Sequence, residues 1–259
     1  MATRVDALRA RVPASLRRDA DVLLADLLGR SPAYVHAHGE AEVDEATFLA
    51  LLRRREAGEP LQYLRGCCEF YGRTFAVDGR VLIPRPETEL LVEAALARIP
   101  RGGRVVEVGA GSGCICVTLA LERPDLDVFA VDRSVAALAV TRHNRDALGA
   151  RVRLAASDVL DSLRGRFDAL VSNPPYIPAA DVPSLQTEVR DHEPHLALTP
   201  GPRGTEVIER LFVAPLVMME IGFGQEAAVR SIAAANGYTV DAVIPDLAGI
   251  ARVVVSSRA

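Results

Sequence analysis

Val105-Val-Glu-Val-Gly109-Ala-Gly111-Ser-Gly113 decides the fold. The first four residues, three of them valine, read as a short buried strand. Three alternating glycines then form a turn that a ligand can approach closely, because no Cβ stands in the way. The apolar segment from Cys114 to Leu121 reads as a helix. Strand, glycine turn and helix make the first βα unit of a nucleotide-binding α/β sheet. From Gly103 onward the alternation continues. Strands are expected over 104–108, 128–131, 151–156, 167–172 and 216–221, with helices over 114–122, 134–147, 204–212 and 225–235. Two closing strands are expected at 238–243 and 251–256. The pattern predicts an open, largely parallel sheet with helices on both faces.

The glycine spacing narrows the ligand. A dinucleotide fingerprint needs its third glycine at position 114, where Cys114 stands. The order Glu107-x-Gly109-x-Gly111-x-Gly113 suits S-adenosylmethionine, which has no pyrophosphate to cradle and carries a cationic amino-acid tail. Glu107 is then a sensible neighbour for the tail's ammonium. Asp132 ends the second strand, where a carboxylate can accept bonds from both ribose hydroxyls. Asp158 follows the third strand and can accept from the adenine amino group. Singly, each carboxylate is more often a solvated loop residue; three at successive strand tips behind a glycine loop favour the donor site.

Asn173-Pro-Pro-Tyr176 follows the apolar run Phe167–Ser172. Taken alone it fits an ordinary proline turn. Behind a donor site it fits a grip for a planar NH2 group. The Asn173 side-chain oxygen accepts one N–H and the Pro174 carbonyl another, while both prolines stiffen the loop. Tyr176 can stack on the flat face of the bound group. Asn173, Pro174 and Tyr176 are the candidate catalytic residues, and Pro175 completes the acceptor grip.

The 259 residues carry a net charge of −4 and are 49% hydrophobic, enough for a sizeable core. There is no long basic run of the kind that marks nucleic-acid binding. All basic residues are Arg, which excludes a lysine nucleophile. Cys67, Cys68, Cys114 and Cys116 lack metal or redox spacing and read as free thiols of a reducing compartment. No metal is expected. No apolar run is long enough to span a membrane, and the N-terminus lacks a signal pattern, so a cytoplasmic protein is expected; a monomer is expected as well.

Residues 1–66 read as a helical domain, with Asp44 capping a helix that Gly58-Glu-Pro60 ends. A β-hairpin linker is expected over 67–86, with Thr74–Val77 and Arg80–Ile83 flanking an Asp78-Gly79 turn. Residues 87–259 form the catalytic domain. The helical domain holds no catalytic cluster and is expected to grip the substrate away from the chemistry.

Several segments together resemble the PrmC/HemK protein-glutamine methyltransferases. They are Glu59-Pro-Leu-Gln-Tyr63, Glu69-Phe-Tyr-Gly72, Ile83-Pro-Arg-Pro-Glu-Thr-Glu89, Asn173–Tyr176, Glu193-Pro194, and Glu220-Ile-Gly with Gln225. The likeness covers nearly the whole chain. It implies a Rossmann-like, S-adenosylmethionine-dependent methyltransferase sheet with an N-terminal helical domain. Gly109, Ala110, Gly111, Ser112, Gly113, Asp132, Asp158, Val159 and Asn173 would line the donor pocket. The acceptor would be the glutamine of the Gly-Gly-Gln loop of class-1 peptide release factors. Arg85 and Glu87 are expected to shape the site. Two departures stand out: Glu107 replaces the family's usual Asp, and the stretch 209–220 is shorter than the family pattern. A ribosomal-protein glutamine, a nucleic-acid adenine amine, or donor binding without catalysis remain as alternative readings.

Overall fold

Helical spacing of apolar residues builds the first unit of the computed structural model, which describes residues 1–258. This unit comprises Met1–Gly66 together with Thr187–His192. Its elements are β1 (Ala2–Arg4), α1 (Val5–Arg9), α2 (Arg17–Leu28), α3 (Pro32–Ala37), β2 (Glu42–Asp44), α4 (Glu45–Glu56) and α5 (Leu61–Arg65). Val5, Leu8, Leu23, Leu24, Val35 and Phe48 pack as its core. Asp44 caps α4 as expected, its Oδ2 accepting the Thr47 N–H at 3.0 Å. The unit is not all helical, because Thr3 pairs with Val43 in an antiparallel ribbon. Pairing of so short a ribbon leaves no periodic signal. The segment Thr187–His192 is held by Arg55, which bonds both Asp19 and Glu188.

The second unit, Cys67–Gln186 and Glu193–Ala259, contains the sheet. It opens with a hairpin of β3 (Cys67–Phe70) and β4 (Arg73–Ala76). The turn therefore falls at Tyr71-Gly72, not at Asp78-Gly79, and Arg80–Ile83 forms no strand. Tyr71 and Gly72 both have positive φ, 50° and 68°, as this tight turn requires. Phe70 and Phe75 meet edge to face across the hairpin at 6.2 Å, which fixes the register. Asp78 instead closes a local turn on the N–H of Arg80.

Next come α6 (Glu89–Arg98), β5 (Arg104–Val108), α7 (Cys114–Glu122), β6 (Asp127–Asp132), α8 (Val135–Leu148), β7 (Val152–Ala156) and β8 (Ala169–Ser172). In chain order α9 (Thr187–His192), which belongs to the first unit, and α10 (His195–Leu198) of the second come before β9 (Leu216–Glu220), α11 (Glu226–Ala235), β10 (Tyr238–Pro245) and β11 (Ala251–Arg258). The seven-stranded order is β10-β11-β9-β8-β5-β6-β7. β5 to β9 run parallel, and β11 and β10 add antiparallel strands at one edge. Side chains alternate between two cores, as a strand's period of two dictates. Val253 and Val255 face the layer of α6 and α7, while Val254 faces that of α11.

The helix expected over 204–212 is only a 3-10 turn at Ile208–Arg210. Leu211, Phe212 and Ala214 are buried under the sheet instead, and Tyr238 donates its hydroxyl to the Ala214 carbonyl at 2.8 Å. The shortened connector is thus continuous and packed; so few residues before β9 leave no room for a longer helix.

Candidate active site

The chain leaves β5 toward β6 on one side and returns to β8 on the other. This reversal of direction opens a crevice at the carboxyl ends of the strands, the usual ligand position in such sheets. A cavity of about 310 Å³ lies there. That volume falls at the lower end of the range for small-molecule sites, about 300–1,000 Å³. Its wall includes Glu107 and Gly109–Ser112 after β5, Asp132 at the end of β6, Asp158 and Val159 after β7, and Asn173, Pro174 and Pro175 after β8.

The glycine loop is shaped from behind. Gly109, Gly111 and Gly113 all have positive φ, and a Cβ on Gly113 would lie 2.8 Å from Thr141 Cγ2. Thr141 donates to the Gly111 carbonyl at 2.9 Å. Asn144 donates to the Ser112 and Ala76 carbonyls and accepts the Ala76 N–H, all within 2.9 Å. Gly113 does not line the cavity among the described residues; it turns the chain into α7 and gives helix α8 room to approach.

Two carboxylates sit beneath this loop, Glu107 buried and Asp132 half-buried. Glu107 is 1% exposed and its Oε2 accepts the Cys116 N–H at 2.9 Å. Burial pushes its pKa up to about 8, against the pull of the Cys116 bond, and the nearby Asp132 charge adds to the rise. Asp132 accepts the Gly111 N–H through Oδ2 at 3.0 Å and the Ser134 N–H through Oδ1 at 2.8 Å. Burial raises its pKa, and those two backbone bonds oppose the shift. Each Asp132 oxygen keeps a lone pair for a ligand hydroxyl. Asp158 is placed on the wall, but its Oδ1 already accepts from Arg210 at 2.9 Å. Val159 is held at a φ of 51°, a strained conformation for a β-branched residue, at the cavity wall.

At the acceptor end, Asn173 Nδ2 donates to Thr88 Oγ1 at 3.1 Å. Asn173 Oδ1 and the Pro174 carbonyl accept no hydrogen bond among the described residues. Tyr176 is not on the cavity wall. Its hydroxyl donates to Glu220 Oε1 at 3.2 Å, and its carbonyl accepts from Gln225 Nε2 at 2.9 Å. Burial and the Glu220 charge raise the phenol pKa. These two bonds tether the proline loop.

Sequence reasoning left Arg85 without a partner; it donates to the buried Glu193 at 2.6 Å, and Arg85 lines the cavity. It also missed Thr88, Thr141, Asn144 and Arg210. Glu220 and Thr88 were visible only as parts of quoted segments. The thiols of Cys114 and Cys116 are buried, which raises both pKa values and keeps them protonated. No helix among the described residues is long and apolar enough to cross a membrane.

The residues present fit S-adenosylmethionine. A glycine loop stripped of Cβ atoms, an ionisable carboxylate buried under it and a second carboxylate with free lone pairs match a cationic amino acid joined to a ribose. Comparison with known proteins agrees with this geometry. Family models match residues 86–240 as "Methyltransferase small domain" and residues 5–66 as "PrmC N-terminal domain". The chain is 42% identical to the release factor glutamine methyltransferase of Koribacter versatilis, covering 97% of this chain and 94% of that one. It is 46% identical to the protein of that name from Neisseria gonorrhoeae, over 83% of each. The Koribacter alignment spans 268 positions, more than the 259 residues here, so that relative carries residues this chain lacks. In fold it is similar to the E. cuniculi Mtq2–Trm112 complex, with a TM-score of 0.52, 20% identity, and coverage of 70% of this chain and 99% of that one. Over nearly its whole length, then, the chain belongs to the release factor glutamine methyltransferase family.

Proposed function

We propose that this chain transfers a methyl group from S-adenosylmethionine to the side-chain amide nitrogen of a glutamine in a class-1 peptide release factor, within its Gly-Gly-Gln loop. The observation that carries this reading is the pair of free acceptors, Asn173 Oδ1 and the Pro174 carbonyl, on the wall of the cavity that also holds the glycine loop. Gly109–Ser112, Asp132 and Glu107 are assigned to the donor, and Asn173 and Pro174 to the acceptor. When bound, the donor supplies an electrophilic methyl group.

An amide nitrogen is a poor nucleophile because its lone pair is delocalised into the carbonyl. Asn173 and Pro174 answer this by each accepting one N–H, which raises electron density on nitrogen and aims its lone pair. Orientation of this kind can lower a barrier by about 7 kcal/mol or more in favourable cases. The amide proton becomes acidic only after alkylation, so no strong base is needed. No histidine lines the cavity among the described residues, in keeping with that chemistry. The helical unit is assigned to gripping the protein acceptor, where remote binding energy helps orient the glutamine.

Mass spectrometry of a release factor incubated with the chain and donor tests the assignment. The expected result is a gain of one CH2 on the Gly-Gly-Gln glutamine. Methylation of a ribosomal protein or of DNA adenine, with the release factor left untouched, would replace it with one of the alternative acceptors.

A further inference from the structure

Asn173 can grip an NH2 group only if its side-chain oxygen, not its own NH2, faces the cavity. The two ends of an amide are nearly the same size, so hydrogen-bond partners must choose between them. We propose that Thr88 and Glu220 are positioning residues that make this choice, Glu220 orienting the Thr88 hydroxyl and Thr88 holding the Asn173 NH2 away from the acceptor. The inference rests on the reading of Asn173 as the acceptor grip.

The three groups are far apart in the chain and meet only in the fold. Thr88 stands at the entrance to α6 and Glu220 at the end of β9, and each is only 2% exposed. Glu220 Oε2 takes the Thr88 hydroxyl at 2.6 Å, and Oε1 takes the Tyr176 hydroxyl at 3.2 Å. An ionised carboxylate can only accept, so each hydroxyl spends its single proton on it. Thr88 Oγ1 is then left with lone pairs alone. It accepts from Asn173 Nδ2 at 3.1 Å, which leaves Asn173 Oδ1 as the end of the amide free to accept, on a residue that lines the cavity. The charge on Glu220 therefore sets the hydroxyl, and the hydroxyl sets the amide.

Burial pushes the Glu220 pKa upward, while the bonds from Thr88 and Tyr176 and the charge of Arg252 oppose that push; Glu87 adds to it. Arg252 is itself fixed by Asp246 at 2.9 Å. Tyr176 brings the proline loop under the same control, since the carboxylate that orients Thr88 also anchors the last residue of the acceptor motif.

The test uses the full chain with Thr88→Val, Thr88→Ser and Glu220→Gln. Thr88→Val keeps the shape and removes the hydroxyl. It is expected to lower kcat on the release factor about a hundredfold, the scale of a misaligned reactant. Its affinity for S-adenosylhomocysteine, measured by calorimetry, should stay at the wild-type value. Thr88→Ser restores the hydroxyl and should restore most of kcat, which a packing role would not do. The side-chain amide resonances of Asn173 give a readout that needs no acceptor. They should be protected from solvent exchange in the wild type and Thr88→Ser, and exposed in Thr88→Val. Glu220→Gln carries an NH2 of its own, frees the Thr88 proton for Asn173, and should show a second set of Asn173 amide signals with a lowered kcat. Wild-type kcat and unchanged amide signals in Thr88→Val overturn the proposal, as does Thr88→Ser failing as badly as Thr88→Val. Should Thr88→Val not fold, an unaltered Glu220→Gln overturns it equally. A wild-type chain that leaves the release factor unmethylated overturns the proposed function, and the amide signals then decide the positioning claim by themselves.

Discussion

Glu107 Oε2 lies 2.9 Å from the backbone nitrogen of Cys116, so a side chain at the end of β5 satisfies one of the orphan N–H groups in the first turn of α7. The bond ties strand to helix across the glycine loop. It also keeps a carboxyl group in a place where its charge is costly.

That cost makes stability depend on pH. Glu107 ionises near its ordinary value of 4.5 in the unfolded chain and near 8 in the folded one. Between those values the unfolded state binds fewer protons. The group's contribution is therefore fully present below 4.5 and is lost as pH rises through 8. Glu107→Gln should flatten this fall. Thermal unfolding of both proteins across that window measures it, and parallel curves would count against the burial argument. An ammonium group of a ligand's amino-acid tail placed beside Glu107 should also draw a proton off it, so calorimetric heats of S-adenosylhomocysteine binding near pH 7 should vary with the buffer's ionisation enthalpy in the wild type and less in the variant.

Asp132→Ala should weaken S-adenosylhomocysteine binding and leave acceptor affinity nearly unchanged. A charge-assisted bond to a ribose hydroxyl is worth about 1.5–3 kcal/mol. The variant also releases the Gly111 and Ser134 N–H groups that Asp132 now holds. An unchanged dissociation constant would mean that the ribose is held elsewhere.

Asn173→Ala should abolish transfer while donor binding falls only modestly. Removing one preorganised polar contact of this kind costs about 2.7–4 kcal/mol of barrier. Single-turnover kinetics with saturating donor provide the check. Near-normal turnover would remove Asn173 from the acceptor site.

The elements that were legible in the sequence are those whose signal is local. Val105–Gly113 and Asn173–Tyr176 each announce a strand end and a ligand-facing turn within a few residues, and Glu107–Ser112 and Asn173–Pro175 from them line the cavity. The hairpin falls elsewhere than expected because Asp78-Gly79 is the stronger local turn signal, whereas the chain turns at Tyr71-Gly72 with Tyr71 at a φ of 50°, which a bulky residue seldom adopts. Contacts distant in the chain hold the observed hairpin: Asn144 exchanges two bonds with Ala76, and Glu89 accepts the Tyr71 N–H. The groups that support the site were hidden for a different reason. Thr88 and Glu220 are 132 residues apart and Asp158 and Arg210 are 52 apart, and the crossovers of a parallel sheet bring them together. The bond from Tyr176 to Glu220 was hidden on the same account, since that partner belongs to another strand.

Gly204→Ala should impair the acceptor site from outside it. Gly204 has a φ of 76°, and a Cβ there would lie 2.5 Å from the Tyr176 carbonyl oxygen. The proline loop must shift to admit it, and the strained backbone adds on the order of 1 kcal/mol or more. The expected outcome is a lowered kcat with nearly unchanged S-adenosylhomocysteine affinity. A variant with full kcat would show that the loop tolerates displacement.

Asn144 joins Ala76, at the end of the hairpin, to Ser112 in the glycine loop through one side chain on α8. The loop is thus set to its shape when the chain folds, not when a ligand arrives. Encounter with the donor then requires little ordering of the backbone, so the association rate should be governed by diffusion into the crevice. Product departure, rather than loop rearrangement, is left to limit how soon the next donor can enter.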